Sequence, residues 1–102
     1  MSERKEYPLN ITINNRKLSS VVIDQHYQVN HPEMNDDLII ELIKTIDNGI
    51  FPIENEKDGF EYFKVEPVEF EDRPYRLVLL MYVYEDFLGV INAFRVRRKQ
   101  HD

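Results

Sequence analysis

The chain has 102 residues, no cysteine and a formal net charge of −6, with 13 Lys and Arg against 19 Asp and Glu. This length bounds it to one domain, residues 1–102, able to bury a modest core without metal or disulfide, and the lack of cysteine excludes thiol nucleophiles and disulfide scaffolds. An acidic balance argues against a general nucleic-acid binder, whose footprint is basic, and with no membrane-length apolar run and no apolar segment after the polar N-terminus the expectation is a cytoplasmic protein with no membrane partner.

Residues 1–7 and 99–102 are charged and expected to fray. Leu9, Ile11 and Ile13 alternate with polar residues. Asn14-Asn15 then signals a turn, because asparagine tolerates the left-handed region. Leu18 to Ile23 completes an N-terminal β-hairpin. Asp24 can cap a short helix through Gln25-His26-Tyr27-Gln28-Val29, which Pro32 stops. A second helix follows over about 36–48. Asn35 is its N-cap, Asp36 and Asp37 put negative charge in the first turn, and Leu38, Ile39, Leu42, Ile43 and Ile46 form its apolar stripe. Asn48-Gly49 ends it.

Residues 50–59 read as a loop closed by Asp58-Gly59. Phe60 to Val65 is an aromatic strand. Pro67 lacks an amide donor, so that strand either ends there or lies at an edge, with Val68 and Phe70 extending it beyond a bulge. Two apolar runs, 75–84 and 87–97, flank Glu85-Asp86 as a final hairpin. The fold class is therefore α+β: an N-terminal β-hairpin, then one or two helices packed on an antiparallel β-meander. Leu42 and Phe94 are expected in the core.

Charge is unevenly spread. From Glu54 to Asp72 there are eight acids and two bases; from Arg73 to Lys99 there are six bases and two acids. If Glu85-Asp86 is the loop, Tyr84 lies opposite Phe87 and Arg76 opposite Arg95. Like charges across a strand pair repel unless an anion sits between them. Arg76, Arg95 and Arg97 would then hold a phosphate or carboxylate, since the guanidinium fork gives two parallel hydrogen bonds. The alternative is that Glu66, Glu69 or Glu71 of the neighbouring strand neutralises them. A one-residue slip would abolish the pairing. In the same register both faces of the hairpin are apolar in the middle, so it should be covered on both sides.

Three further residues stand out. Asn92 is a polar residue within an apolar strand and must find partners, either structural or in a site. His26 sits at the sheet-to-helix junction and is a natural general acid or base, or a residue that packs and caps. Tyr62, with Tyr75, Tyr82, Tyr84 and Phe63, would stack on bases if exposed, or fill the core if not. His26 and His31 are five apart with no third ligand nearby, and no glycine-rich phosphate loop or nucleophile elbow is present. No metal or cofactor is expected.

Val22-Ile23-Asp24-Gln25-His26-Tyr27 with His31-Pro32-Glu33-Met34-Asn35-Asp36-Asp37-Leu38 resembles the opening of small BrnT-related domains. Tyr75-Arg76-Leu77-Val78 and Leu88-Gly89-Val90-Ile91-Asn92-Ala93-Phe94-Arg95 resemble the closing hairpin of the wider RelE-like group. The resemblance spans roughly residues 20–97 and implies a small toxin-fold protein, either a metal-independent ribonuclease of a bacterial toxin–antitoxin system or a stand-alone relative of unknown role. Its partners would be an antitoxin or other protein, and RNA. By position His26 matches the helix histidine, and Arg95 and Arg97 the basic residues of the last strand. In that reading His26 moves the proton while Arg76 and Arg95 hold the phosphate. The acidic charge and the long N-terminal hairpin depart from the pattern. They favour the alternative, a non-catalytic protein-interaction module or an inactive relative of the toxin fold.

Overall fold

The chain order is hairpin, two helices, then a short strand and a meander. A computed structural model describes residues 3–97. The strands are β1 (Arg4–Ile13), β2 (Arg16–Asp24), β3 (Asn55–Lys57), β4 (Phe60–Phe70), β5 (Arg73–Tyr82) and β6 (Phe87–Arg95), with helices α1 (Tyr27–Asn30) and α2 (Asp36–Thr45) between β2 and β3. The fold is α+β, as the sequence predicts. Among the described residues no helix is long and apolar enough to cross a membrane.

Turn chemistry explains the hairpins. Asn14-Asn15, Asp58-Gly59 and Glu71-Asp72 each place two consecutive residues at positive φ. This backbone matches the twist of the flanking strands in two-residue turns. Asparagine, aspartate and glycine adopt it readily, whereas Glu71 at φ 50° pays a steric cost. The Glu71-Asp72 turn is the one that the sequence signals least. The Asn35 side chain accepts from the Leu38 amide at 2.8 Å, so α2 starts where predicted. It ends at Thr45, three residues before the left-handed Asn48.

The six strands form one sheet in the order β1-β2-β6-β5-β4-β3. β4, β5 and β6 make the expected antiparallel meander. Two features were not foreseen. β2 lies parallel to β6, which joins the N-terminal hairpin to the meander. The predicted loop 50–59 contains β3, pairing with β4 at Phe60, Glu61 and Tyr62. Residues 4–7 do not fray: Arg4 to Tyr7 pair with Asp24 to Val21, and the Gln25 amide donates to the Glu3 carbonyl at 2.8 Å. Residues 1–2 and 99–102 lie outside the described residues.

The helices cover one face of the sheet. Ile39, Leu42 and Ile43 of α2 pack with Ile13, Val21 and Ile23 of the first hairpin and with Phe63, Leu77, Leu79 and Leu88 of the meander. All are almost fully buried. Among the described residues no helix lies on the opposite face, so the expectation that the final hairpin is covered on both sides is corrected. Phe94 is likewise not a core residue. It is half-buried on the uncovered side, stacked on His31 at 4.7 Å.

Two clamps fasten the first hairpin to the rest. The Asn14 side chain donates to the Phe51 carbonyl at 3.0 Å and accepts its amide at 2.6 Å, standing in for a backbone neighbour. Arg16 donates to the Tyr82 and Glu85 carbonyls at 2.8 and 3.2 Å. Gly49 is needed here, because a Cβ would lie 2.4 Å from the Phe51 ring and 2.9 Å from the Ile46 carbonyl.

Two measurements check this core and these turns. Leu42→Ala should cost about 2–5 kcal/mol in urea denaturation, and Phe94→Ala clearly less, about 1 kcal/mol, as only part of its surface is withdrawn from water. Equal losses would place Phe94 in the core after all. Glu71→Asn should raise stability by up to about 1 kcal/mol, since asparagine tolerates the left-handed backbone.

Candidate functional site

The uncovered face is built by strand alternation. One row of paired residues crosses all six strands: Glu6, Val22, Gly89, Leu80, Tyr62 and Asn55. The adjacent row, toward the β5–β6 loop, contains Pro8, Ser20, Phe87, Tyr82, Phe60 and Lys57. Their centres are apolar, and Glu6, Asn55 and Lys57 at their ends are polar or charged. The central side chains Val22, Leu80, Tyr62, Phe87, Tyr82 and Phe60 are each only half-buried. Large exposed apolar patches of this kind mark binding surfaces more often than chance.

The surface has relief. Gly89 contributes no side chain, and a Cβ there would come within 2.9 Å of Leu80 Cγ and Cδ1. Leu80 therefore lies across β6 and leaves a trough of about 430 Å³ floored by Val22, Gly89, Val90 and Ile91. Arg4 and Asp24 close one side; Phe60, Tyr62 and Phe87 line the others. Beside it rises an aromatic ridge. Phe60 stacks on Tyr82 at 4.4 Å, and Tyr82 meets Tyr84 edge-on at 5.3 Å. Tyr84, in the loop, is 77% exposed.

The arginine pair expected from the sequence does not form. Arg76 lies opposite Phe94 and Arg95 opposite Tyr75. The loop comprises residues 83–86 rather than Glu85-Asp86 alone, and a bulge between Val78 and Leu79 places Ile91 as an extra residue on β6. These irregularities shift the register by one residue at Arg76. Arg76 and Arg95 thus fall on opposite faces. Arg76 is held by both carboxylate oxygens of Glu66, the Nη2 contact being 3.0 Å, and its guanidinium lies 5.3 Å from the Phe94 ring centroid. The neutralising glutamate foreseen as the alternative is Glu66, and it holds the Arg76 pKa above its ordinary value.

The other predicted residues scatter. His26 is exposed; its amide donates to Asp24 Oδ1 at 2.9 Å. Arg95 and Arg97 are exposed, and the Arg95 amide donates to Glu33 Oε2 at 3.3 Å. Asn92 sits at the bulge and its Oδ1 accepts from the Ala93 amide at 2.9 Å. Tyr62 and Tyr82 do lie on the open face, whereas Tyr75 and Phe63 are core residues.

A polar cluster that the sequence reading missed lies on the helix side. The Asp36 carboxylate accepts from Tyr7 Oη at 2.5 Å, from Tyr27 Oη at 2.6 Å, and from Gln25 Nε2 at 3.1 and 3.2 Å to its two oxygens. Gln28 in turn donates to Gln25 Oε1 at 2.9 Å. Burial alone would raise the Asp36 pKa. The hydrogen bonds from Tyr27, Tyr7 and Gln25, with the charge of Lys5, outweigh it and hold the carboxyl below its ordinary value. Tyr7, chiefly through its bond to Asp36, and Tyr27, chiefly through burial, are pushed up to about 12. Four donor contacts occupy the roughly four lone-pair sites of a carboxylate. Both oxygens of Asp36 are thus engaged as acceptors that hold the fold together. The sequence signal for it was Tyr7 and Tyr27, polar-tipped residues at positions that pattern as core.

Asp36→Asn should lower stability at neutral pH by about 2–3 kcal/mol, the worth of charged hydrogen bonds. The sign in pH follows. A depressed carboxyl pKa stabilises above the unfolded value near pH 4 and loses that contribution as pH falls through the folded value. Wild type and Asp36→Asn should therefore converge in acid. Tyrosines raised from 10 to about 12 stabilise below pH 10 and lose this as pH rises through that window. Urea midpoints across pH read both limbs; a pH-independent difference would remove Asp36 from its role as a charged acceptor.

Comparison with protein families, with curated proteins and with solved structures yields no match, so function is read from this geometry.

Proposed function

We propose that the chain is a non-catalytic protein-interaction module that receives its partner on the open face of the sheet. The observation that carries this reading is the unbroken apolar centre of that face, from Val22 through Leu80 to Phe60 and Tyr62, which no helix among the described residues covers, while the other face holds the buried core. A centre of aliphatic and aromatic residues ringed by charge is the anatomy of a protein interface. The RelE- and BrnT-like nuclease reading leaned on an arginine pair, and Arg76 is already engaged by Glu66. Strand addition is disfavoured as the mode of binding. Since the Glu3 carbonyl points to β2, Pro8 falls among the outward-pointing positions of β1, where it offers no donor. Further along the same edge, residues 48 and 49 cover the strand, with Asn48 donating to the Thr12 carbonyl at 2.7 Å. At the opposite margin β3 is only three residues long, and β4 beyond it carries Pro67, which offers no donor.

An uncharged apolar dye such as Nile red tests the face directly. At low protein concentration its fluorescence should rise on wild type and drop on Leu80→Lys, with circular dichroism showing the variant folded. A mixed RNA pool should survive incubation with wild type and with His26→Ala alike. Absence of dye binding removes the interaction reading. RNA cleavage that needs His26 and survives a chelator would restore the ribonuclease reading in its place.

A further inference from the structure

The trough over Gly89 is apolar along most of its length and charged at one end. Arg4 and Asp24 stand directly opposite each other on β1 and β2, and both line it. A guanidinium and a carboxylate are thus supplied side by side. We infer that the trough is a binding site for a free aromatic α-amino acid. Its carboxylate meets Arg4, its ammonium meets Asp24, and its ring lies in the apolar part. This goes beyond the docking of a protein: the site needs the sheet face to be open and needs no protein partner.

The charged end selects the head group. Residues directly opposite in an antiparallel pair have Cβ atoms about 5 Å apart, so their charged tips can converge on two groups joined through one carbon. The planar fork of an arginine suits a carboxylate, which takes two parallel hydrogen bonds from it. Asp24 is half-buried, and its Oδ1 accepts the His26 amide at 2.9 Å, which orients the carboxylate. The two oxygens of a carboxylate accept from several donors at once, an ammonium among them. Glu6, two residues from Arg4 and on the same face, puts a further negative charge nearby. A lone carboxylate would meet two acids and one base at this end, and a lone ammonium would meet the Arg4 charge. A zwitterion matches both Arg4 and Asp24.

The apolar part selects the body. The trough volume of about 430 Å³ falls in the range of small-molecule sites, roughly 300–1,000 Å³, which are mostly apolar with a few polar groups that orient the ligand. Val22 and Leu80 flank the Gly89 floor, and Phe60, Tyr62 and Phe87 supply aromatic walls. With no side chain at Gly89, a flat ring can approach the backbone of β6 closely. A ring set edge-on or offset against the aromatic walls gains beyond its buried area. A short aliphatic side chain would leave much of the trough to water and its walls without contacts.

The chain contains no tryptophan, so L-tryptophan serves as both ligand and fluorescent reporter. Titrated with protein, its emission should move to shorter wavelength and saturate with a Kd of about 1 mM or tighter, the affinity expected of about fifteen non-hydrogen atoms. Tryptamine lacks the carboxylate and indole-3-propionate lacks the ammonium. Each should bind at least about tenfold more weakly, the loss of one charged hydrogen-bonded contact. Arg4→Leu should remove the advantage of L-tryptophan over tryptamine. Asp24→Asn, whose side-chain oxygen can still accept from the His26 amide, should remove its advantage over indole-3-propionate. Circular dichroism checks that both variants fold, and the comparison of the three ligands on wild type decides the head group without any variant. No saturable binding of L-tryptophan up to about 10 mM, with Nile red still bound, overturns the amino-acid site and leaves the face to a protein partner. Binding of neither compound overturns the open face as well. Equal affinity for the three indole compounds, or affinities unchanged in both variants, marks non-specific apolar contact and overturns the inference. L-Leucine that displaces L-tryptophan equally well overturns the aromatic body.

Discussion

The Asp36 carboxylate fixes where everything else can sit. It draws donors from three separate places: Tyr7 on β1, Gln25 just beyond β2, and Tyr27 on α1. Asp36 itself opens α2, where a negative charge is favoured by the helix dipole. One anion therefore ties the edge strand, the strand-to-helix junction and both helices. The alternative for each donor is a half-buried, unpaired hydroxyl or amide, which is costly. With this anchor in place α2 lies over the first hairpin and the meander, and its stripe of Ile39, Leu42 and Ile43 fills that side of the sheet.

That anchoring makes the two faces unequal. Both helices are held on one side, and the described residues contain no other element that lies over the second. The sequence of the final hairpin is apolar on both faces, which in a two-layer fold leaves one apolar surface without an internal partner. Gly89 sharpens the asymmetry. It lets Leu80 fold across β6, turning a flat patch into a trough beside the stacked Phe60 and Tyr82. A flat apolar face invites non-specific association. A trough walled by Phe60, Tyr62 and Phe87 restricts which surfaces can pack on it.

Local chemistry was readable from the sequence and long-range pairing was not. Asn14-Asn15, Asp58-Gly59 and the Asn35 cap act on their own neighbours, so the turns and the start of α2 followed directly. The parallel contact of β2 with β6 depends on residues far apart in sequence, and no local signal announces it. The Arg76–Arg95 pairing failed for a definable reason. It assumed a two-residue loop and a regular ladder, whereas residues 83–86 form the loop and Ile91 is an extra residue at the bulge. Tyr62 and Tyr82 stand out among the sequence's aromatics, but Phe60 and Phe87, which make the face with them, become visible only once the register is known.

The fate of Arg76 shows how charge is arranged around the apolar surface. Glu66 on β4 takes its guanidinium, Glu54 pairs with Lys64 at 3.5 Å, and Glu61 meets Arg16 at 3.4 Å. The acidic stretch from Glu54 to Asp72 thus supplies three acids to cations on neighbouring elements. Each such pair is worth little in stability, being partly exposed and screened. Its effect is on recognition: with Arg76 engaged by Glu66 at the far end of the face, a phosphate would have to displace a bidentate carboxylate already in place. An apolar partner faces no such competition at Val22, Leu80 and Tyr62. The same glutamates that lower the worth of this chain as an anion binder leave its hydrophobic rows as the surface with most to gain from contact.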